Sequence, residues 1–188
     1  MHLPLVMPSD LDPVQQALYE EMRAVIEKRF KAFKSIDEHG RMIGPFNASI
    51  NYPNVGKSSF GLTTAVNAMG ILPPGATEVA ILVVAGFYKA AYEIYAHTAI
   101  AESLGMPLGR ISALIANTRP TDLDAPETAA FDVAHALCRG GPMPGAIWRL
   151  AVDAFGKDGA AQLVFLVGLY AYVSMSLNGF DVPAPVAE

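Results

Sequence analysis

The stretch Glu78-Val-Ala-Ile-Leu-Val-Val-Ala-Gly-Phe-Tyr-Lys-Ala-Ala-Tyr-Glu93-Ile-Tyr-Ala-His97 decides how this chain folds. Its first half is apolar on every side. Its second half sets Glu93 and His97 four residues apart, which on a helix gives them one face and neighbouring Cβ atoms. An acid and an imidazole so placed hold each other in a defined protonation state, a minimum requirement for proton transfer. As one straight helix the stretch would keep Glu78 and Glu93 ~22 Å apart at 1.5 Å per residue, too far to act on one small molecule. A break near Gly86 to Ala91, with Gly86 as a weak stop signal, would fold the second half back beside the first. Packing against another subunit is the other way to bring the acids together.

Helical punctuation continues outward from there. Asp12-Pro13 reads as an N-cap with proline at the first helical position. The helix it opens, residues 12–34, repeats apolar residues at Val14, Leu18, Met22, Val25 and Ile26. Ser35 to Gly56 is rich in Gly, Asn and Pro and reads as a loop with a short helix near Phe46 to Ile50. A helix over Lys57 to Met69 stops at Gly70 and Pro73-Pro74-Gly75. Thr77 is the expected cap of the apolar helix from Glu78, and Ala91 to Leu104 forms the next, ended by Gly105. Pro107 opens a short helix through Ala116. Asp124, with Pro126 and Glu127 in the first turn, caps a helix through Arg139. Helices at Pro144–Phe155 and Asp158–Asn178 follow, then an extended tail over 181–188. No period-2 pattern, repeat or linker interrupts this order. The reading is one all-α domain, a multi-helix bundle.

Composition narrows the partners. With 52% hydrophobic and 16% charged residues and a mean hydropathy of +0.31, 188 residues carry more apolar surface than one small globule hides. Subunit association accounts for the excess. A formal charge of −5 excludes nucleic acid as a partner, which needs clustered Lys and Arg. The one dense basic run, Lys28 to Lys34, ends a helix that begins with acids, where the macrodipole favours it. Cys138 is the single cysteine, so no internal disulfide or Cys-x-x-Cys pair exists. The N-terminus has no basic region followed by an apolar core. Leu163 to Leu177 is uncharged but shorter than a membrane span of about 20 residues. The expectation is a cytoplasmic protein with neither membrane nor nucleic acid as partner.

Several short motifs in order resemble the carboxymuconolactone decarboxylase family, which includes alkylhydroperoxidase D-like proteins. They begin with Gly40-Arg41-Met42-Ile43-Gly44-Pro45-Phe46 and Glu78-Val79-Ala80-Ile81-Leu82. They continue through Tyr92-Glu93-Ile94-Tyr95-Ala96-His97 and Ala101-Glu102-Ser103-Leu104-Gly105, then Arg119-Pro120 and Tyr172 to Asn178. The resemblance spans about Arg41 to Pro185. It implies an all-helical subunit of the alkylhydroperoxidase D-like type, assembled as a homotrimer or homohexamer with sites near subunit contacts. In peroxidase-type members a Glu, a Cys-x-x-Cys pair and a His form a redox centre. Glu78 and His97 match the acid and imidazole, but Ala90 and Glu93 stand at the cysteine positions. Without a thiol there is no thiolate nucleophile and no resolving partner. The version without cysteines accompanies decarboxylation of a small carboxylated lactone. That assigns His97 as general acid/base, Glu93 as its orienting partner and Glu78 as a second acid/base. Arg41 and Phe46 are candidates to bind the substrate, Arg41 through a fork of donors on its carboxylate. No cofactor is expected.

Other readings stand beside this one. Hydrolysis or isomerisation comes next after decarboxylation, and a peroxidase-like protein using an external thiol and a non-catalytic oligomer that binds a small ligand are the alternatives in function. Glu78, Glu93 and His97 also make a conceivable metal set, with no fourth ligand at recognisable spacing. Asn51-Tyr52-Pro53-Asn54-Val55-Gly56-Lys57-Ser58 looks like a phosphate loop, but Asn51 and Pro53 spoil it and no strand precedes it. His135, with Asp132 three residues before it, reads as a surface or contact residue.

Overall fold

The structure, a computed structural model, describes residues 1–29 and 31–185. These hold α1 (Pro13–Arg29), α2 (Pro45–Asn51), α3 (Pro53–Ala68), α4 (Pro74–Tyr88), α5 (Ala91–Ser103), α6 (Leu108–Ile115), α7 (Ala125–Cys138) and α8 (Gly145–Gly179). Among the described residues there is no strand, only an isolated bridge between Ile36 and Met42. The protein is an all-α domain, as the sequence predicts.

Helix α4 is the axis. Every residue from Glu78 to Ala85 is buried. A helix apolar all round has no face to give to water, so its neighbours must surround it. Helices α7, α8, α5 and α6 do so. Full burial of each of Val79, Leu82, Val83 and Val84 contributes roughly 1.5–3 kcal/mol. A second core joins α1, α2 and α3 through Leu18, Met22, Ile26, Ile50 and Phe60. A third, smaller cluster seats Tyr92 and Ala96 of α5 on Leu177 of α8.

Helix α4 ends where a fold-back was expected, but not for the expected reason. Lys89 adopts left-handed φ +54°. Its N–H donates to Gly86 O (3.2 Å) and that of Ala90 to Ala85 O (3.0 Å), the paired bonds of a Schellman cap. Gly86 remains inside the helix because it touches α6: a Cβ there would lie 2.1 Å from Ile115 O. Its role is close approach, while the break belongs to Lys89.

Proline sets several boundaries that the periodicity misplaces. Pro45, Pro53 and Pro74 each begin a helix, the position where a missing N–H costs least. Hence α3 starts at Pro53 rather than Lys57. Likewise α4 starts at Pro74, so Thr77 lies in its first turn and donates to Pro73 O (3.1 Å) instead of capping it. The caps at Asp12 and Asp124 form as predicted. Asp12 accepts from the N–H groups of Val14 and Gln15, and Gln15 returns a bond to Asp12 N–H. Asp124 and Glu127 make a reciprocal capping box.

Helix α1 is shorter than expected. Phe30 lies outside the described residues, and Lys31 to Ser35 are not helical. The cause is tertiary. The Lys34 N–H donates to Tyr95 Oη (3.0 Å), and Tyr92 Oη donates to Lys34 O (2.7 Å). Two hydroxyls from α5 thereby take the backbone groups that a helix would have used. Val14, expected on the buried face, is exposed. The long helix α8 is interrupted at Gly156 (φ +71°, ψ 175°), between the two helices the sequence predicts. By length and composition α8 is apolar enough to cross a membrane. In this fold 44% of that apolar window is buried, where it packs on α4 and α7.

Candidate active site

The fold-back brings the three predicted side chains together within one subunit. His97 Nδ1 lies 2.8 Å from Glu78 Oε2, and Nε2 lies 3.4 Å from Glu93 Oε2. Glu78, Glu93 and His97 are 6%, 3% and 7% exposed, so this is a buried set rather than a surface pair. Removing either partner of such a set strands a charge in the interior. Burial by itself disfavours a charged imidazole. The charge of Glu78 and the hydrogen bonds of both carboxyls outweigh it, and the ring's pKa is pushed up from 6.5 to about 10. His97 is an imidazolium at neutral pH, with both N–H groups engaged. Glu93 sits in the first turn of α5, where the partial positive charge of a helix start favours a carboxylate.

A cavity of about 460 Å³ opens onto this set between α2–α3 on one side and α5–α8 on the other. Glu93 and His97 line it; Glu78 does not. Glu78 stands behind His97 and orients it through the shorter contact, while Glu93 faces the cavity. Phe46 lines the cavity, as expected of a substrate-binding residue. Arg41 does not. Its Nε donates to Asp37 Oδ2 (2.7 Å) in the loop before α2, so the side chain expected to anchor a substrate sits in a local ion pair outside the described lining. The short connection from Asp37 to Arg41 lets the pair close there.

Tyr170 is the site residue that the sequence reading overlooked. Its ring meets His97 edge to face at 5.0 Å between centroids, and it lines the cavity. Burial, with the charges of Glu93 and Glu78 adding to it, holds the phenol well above its ordinary pKa. The only available signal was a tyrosine, with a polar tip, inside the uncharged run of α8. Tyr92, next to Glu93, fixes the start of α5. Its ring covers Gly44, where φ is +63° and a Cβ would fall 2.2 Å from the ring.

The rest of the wall is apolar. Among the described residues, 23 line the cavity; eight are Phe or Tyr and none is Lys or Arg. Ser49, Ser59, Thr63 and Ser176 also line it, but each hydroxyl donates to a carbonyl of its own helix. Cys138 on α7 is outside the lining, and burial pushes its thiol up to about 11, so it supplies no thiolate near neutral pH. Among the described residues no three His, Cys, Asp or Glu side chains are grouped to hold a metal. Both ring nitrogens of His97 already face carboxylates, which leaves the imidazole no free lone pair for one. The phosphate-like segment forms the tight α2–α3 joint. His135 stacks on Phe131 and meets Arg139, while Asp132 pairs with Arg119.

The site defines an all-α protein with a buried carboxylate–imidazolium–carboxylate set at the end of an aromatic cavity. No protein family, no curated protein and no solved structure matches the chain.

Proposed function

We propose that this protein is an enzyme that moves protons on a small organic molecule held in the 460 Å³ cavity. The observation that carries the reading is the Glu78–His97–Glu93 set opening onto that cavity through Glu93 and His97. In this scheme Glu93 takes a proton from an activated C–H of the substrate and returns it to another atom of the same molecule. His97 stays charged and stabilises the electron density left behind, as fixed donors do for a developing anion. Glu78 holds the imidazolium in orientation. Isomerisation by proton shift fits this division best.

Decarboxylation of a carboxylated lactone, the activity implied by the family resemblance, finds less support. It needs a positive group free to seat the carboxylate; the described lining offers no Lys or Arg, and both ring nitrogens of His97 already face carboxylates. A thiol peroxidase lacks its nucleophile. A non-catalytic binder would leave unexplained why two acids and an imidazole are buried together at the cavity end. The alkylhydroperoxidase D-like arrangement and a cytoplasmic homotrimer or homohexamer belong to the same proposal. Exposed Phe165, Tyr172 and Met175 along α8 support the assembly, as a stripe for a second copy to cover.

The test is solvent exchange. Uncharged and amine-bearing compounds with an activated C–H are incubated in D2O and followed by proton NMR. Deuterium incorporation or isomerisation is expected with the wild-type protein and a loss of at least ~100-fold in Glu93→Gln, the usual range for removing a general base. Equal turnover in folded Glu93→Gln and His97→Gln would end the proposal.

A further inference from the structure

The charge pattern of the cavity goes further than the reaction class. Counted formally, two carboxylates and one imidazolium leave the buried end of the cavity at −1. The α5 N-terminus offsets roughly half a charge and does not reverse the sign. Among the described residues no lining Lys or Arg balances the rest. An anionic ligand would meet like charge without a partner. It would also find few donors, because the lining serine and threonine hydroxyls donate to their own helices and Tyr92 Oη donates to Lys34 O.

A cation finds the opposite. Glu93 presents a carboxylate at the cavity wall, and Phe46, Phe60, Tyr52, Tyr172 and Phe180 surround the remaining space with ring faces and edges. Aromatic faces attract an ammonium and also pack against an apolar body. The volume falls within the usual range for small-ligand sites, ~300–1,000 Å³, and suits a body of one or two rings.

We propose that the cavity takes an amine: a primary or secondary ammonium seated on Glu93, carried by an apolar, ring-containing body among the aromatic walls. This rests on the reading of the cavity as the substrate site. It adds the chemical class of what enters.

Three compounds of one shape and different heads test it: 3-phenylpropylamine, 3-phenylpropan-1-ol and 3-phenylpropanoate. Each is titrated into the full-length protein at neutral pH by calorimetry and by ligand-observed NMR. The amine is expected to bind at least ~10-fold more tightly than the alcohol, and the carboxylate to show no saturable binding. In Glu93→Gln the amine should lose at least ~10-fold while the alcohol changes by less than ~3-fold. The wild-type ranking of the three heads stands even if that variant does not fold. A carboxylate that binds as well as the amine, an amine no tighter than the alcohol, or no binding by any of the three would overturn the assignment. The proton-transfer reading fails separately. Carboxylate preference with Glu93-dependent exchange in D2O would overturn the amine alone, and amine binding without exchange would overturn the reaction alone.

Discussion

Raising the pH should destabilise this protein well before its lysines titrate, and His97 is the reason. Its pKa is pushed up from 6.5 to about 10 in the fold. Below pH 6.5 the ring carries its proton in both the folded and the unfolded chain, and the stabilisation by Glu78 and Glu93 is fully present. Between 6.5 and 10 the folded state holds a proton that the unfolded state has released. Stability then falls as pH rises, at about 1.4 kcal/mol per pH unit. From pH 6.5 to 9 that amounts to on the order of 3 kcal/mol, a large part of the 5–15 kcal/mol that holds an ordinary domain together. The window closes at 9 because the Cys138 thiol, raised from 9.0 to about 11, adds a loss of the same sign above that value.

Urea unfolding followed by far-UV circular dichroism at several pH values from 6.5 to 9 measures the slope. His97→Gln should be less stable at pH 6.5 and nearly flat above it, so the two curves converge as pH rises. The opposite sign is physically available. If desolvation won and the ring were buried neutral, its pKa would be depressed, stability would be lost towards acid, and the curve would be flat above 6.5. A wild-type curve that is flat or rising between 6.5 and 9 would refute the imidazolium and with it the role given to Glu78.

Gly44→Ala drives a Cβ to within 2.2 Å of the Tyr92 ring at a backbone φ of +63°, and should lower stability by more than about 2 kcal/mol, read by thermal unfolding. Lys89→Gly relieves the left-handed C-cap of α4 and should gain about 1 kcal/mol in the same measurement. Arg41→Ala breaks the pair with Asp37 and should leave ligand affinity in the cavity unchanged by calorimetry. A tenfold loss there would restore Arg41 as a binding residue. Cys138→Ala should leave turnover and any peroxide consumption as they are, since the thiol is neither in the cavity nor ionised near neutral pH.

Local chemistry was legible in the sequence where the cause is local. Asp12 and Asp124 could be read as caps because the capping side chain and its target lie within three residues. The i, i+4 pairing of Glu93 with His97 is legible for the same reason. What was not legible depends on distant partners. Lys31 to Ser35 leave the helix because Tyr92 and Tyr95, some sixty positions on, take the Lys34 backbone. Tyr170 enters the site from α8, and nothing in its own neighbourhood says which ring it will touch. The fold-back after α4 was expected near its true place, but attributed to Gly86. That glycine answers to Ile115 across a helix contact, and pattern alone cannot tell a packing glycine from a breaking one.

The division of roles proposed for Glu78 and Glu93 follows from where each helix sits. The Glu78 carboxyl on α4 is buried and lies outside the cavity lining, beside a helix enclosed from Val79 to Ala85. Such a group must have a partner or be neutral. His97 is that partner, at 2.8 Å, and Glu78 is thereby committed to it. Glu93 lies on α5, whose face is shared between the core and the cavity, and its contact with His97 is longer, at 3.4 Å. The carboxyl with the longer contact to the imidazole is the one that lines the cavity. A proton gained by Glu93 loosens only the longer contact and leaves His97 anchored from behind, so the set can accept and return a proton without losing its geometry. Two acids at equal distance would have no such division. In the proposed scheme, access to the cavity rather than sequence spacing separates the two acids into support and reagent.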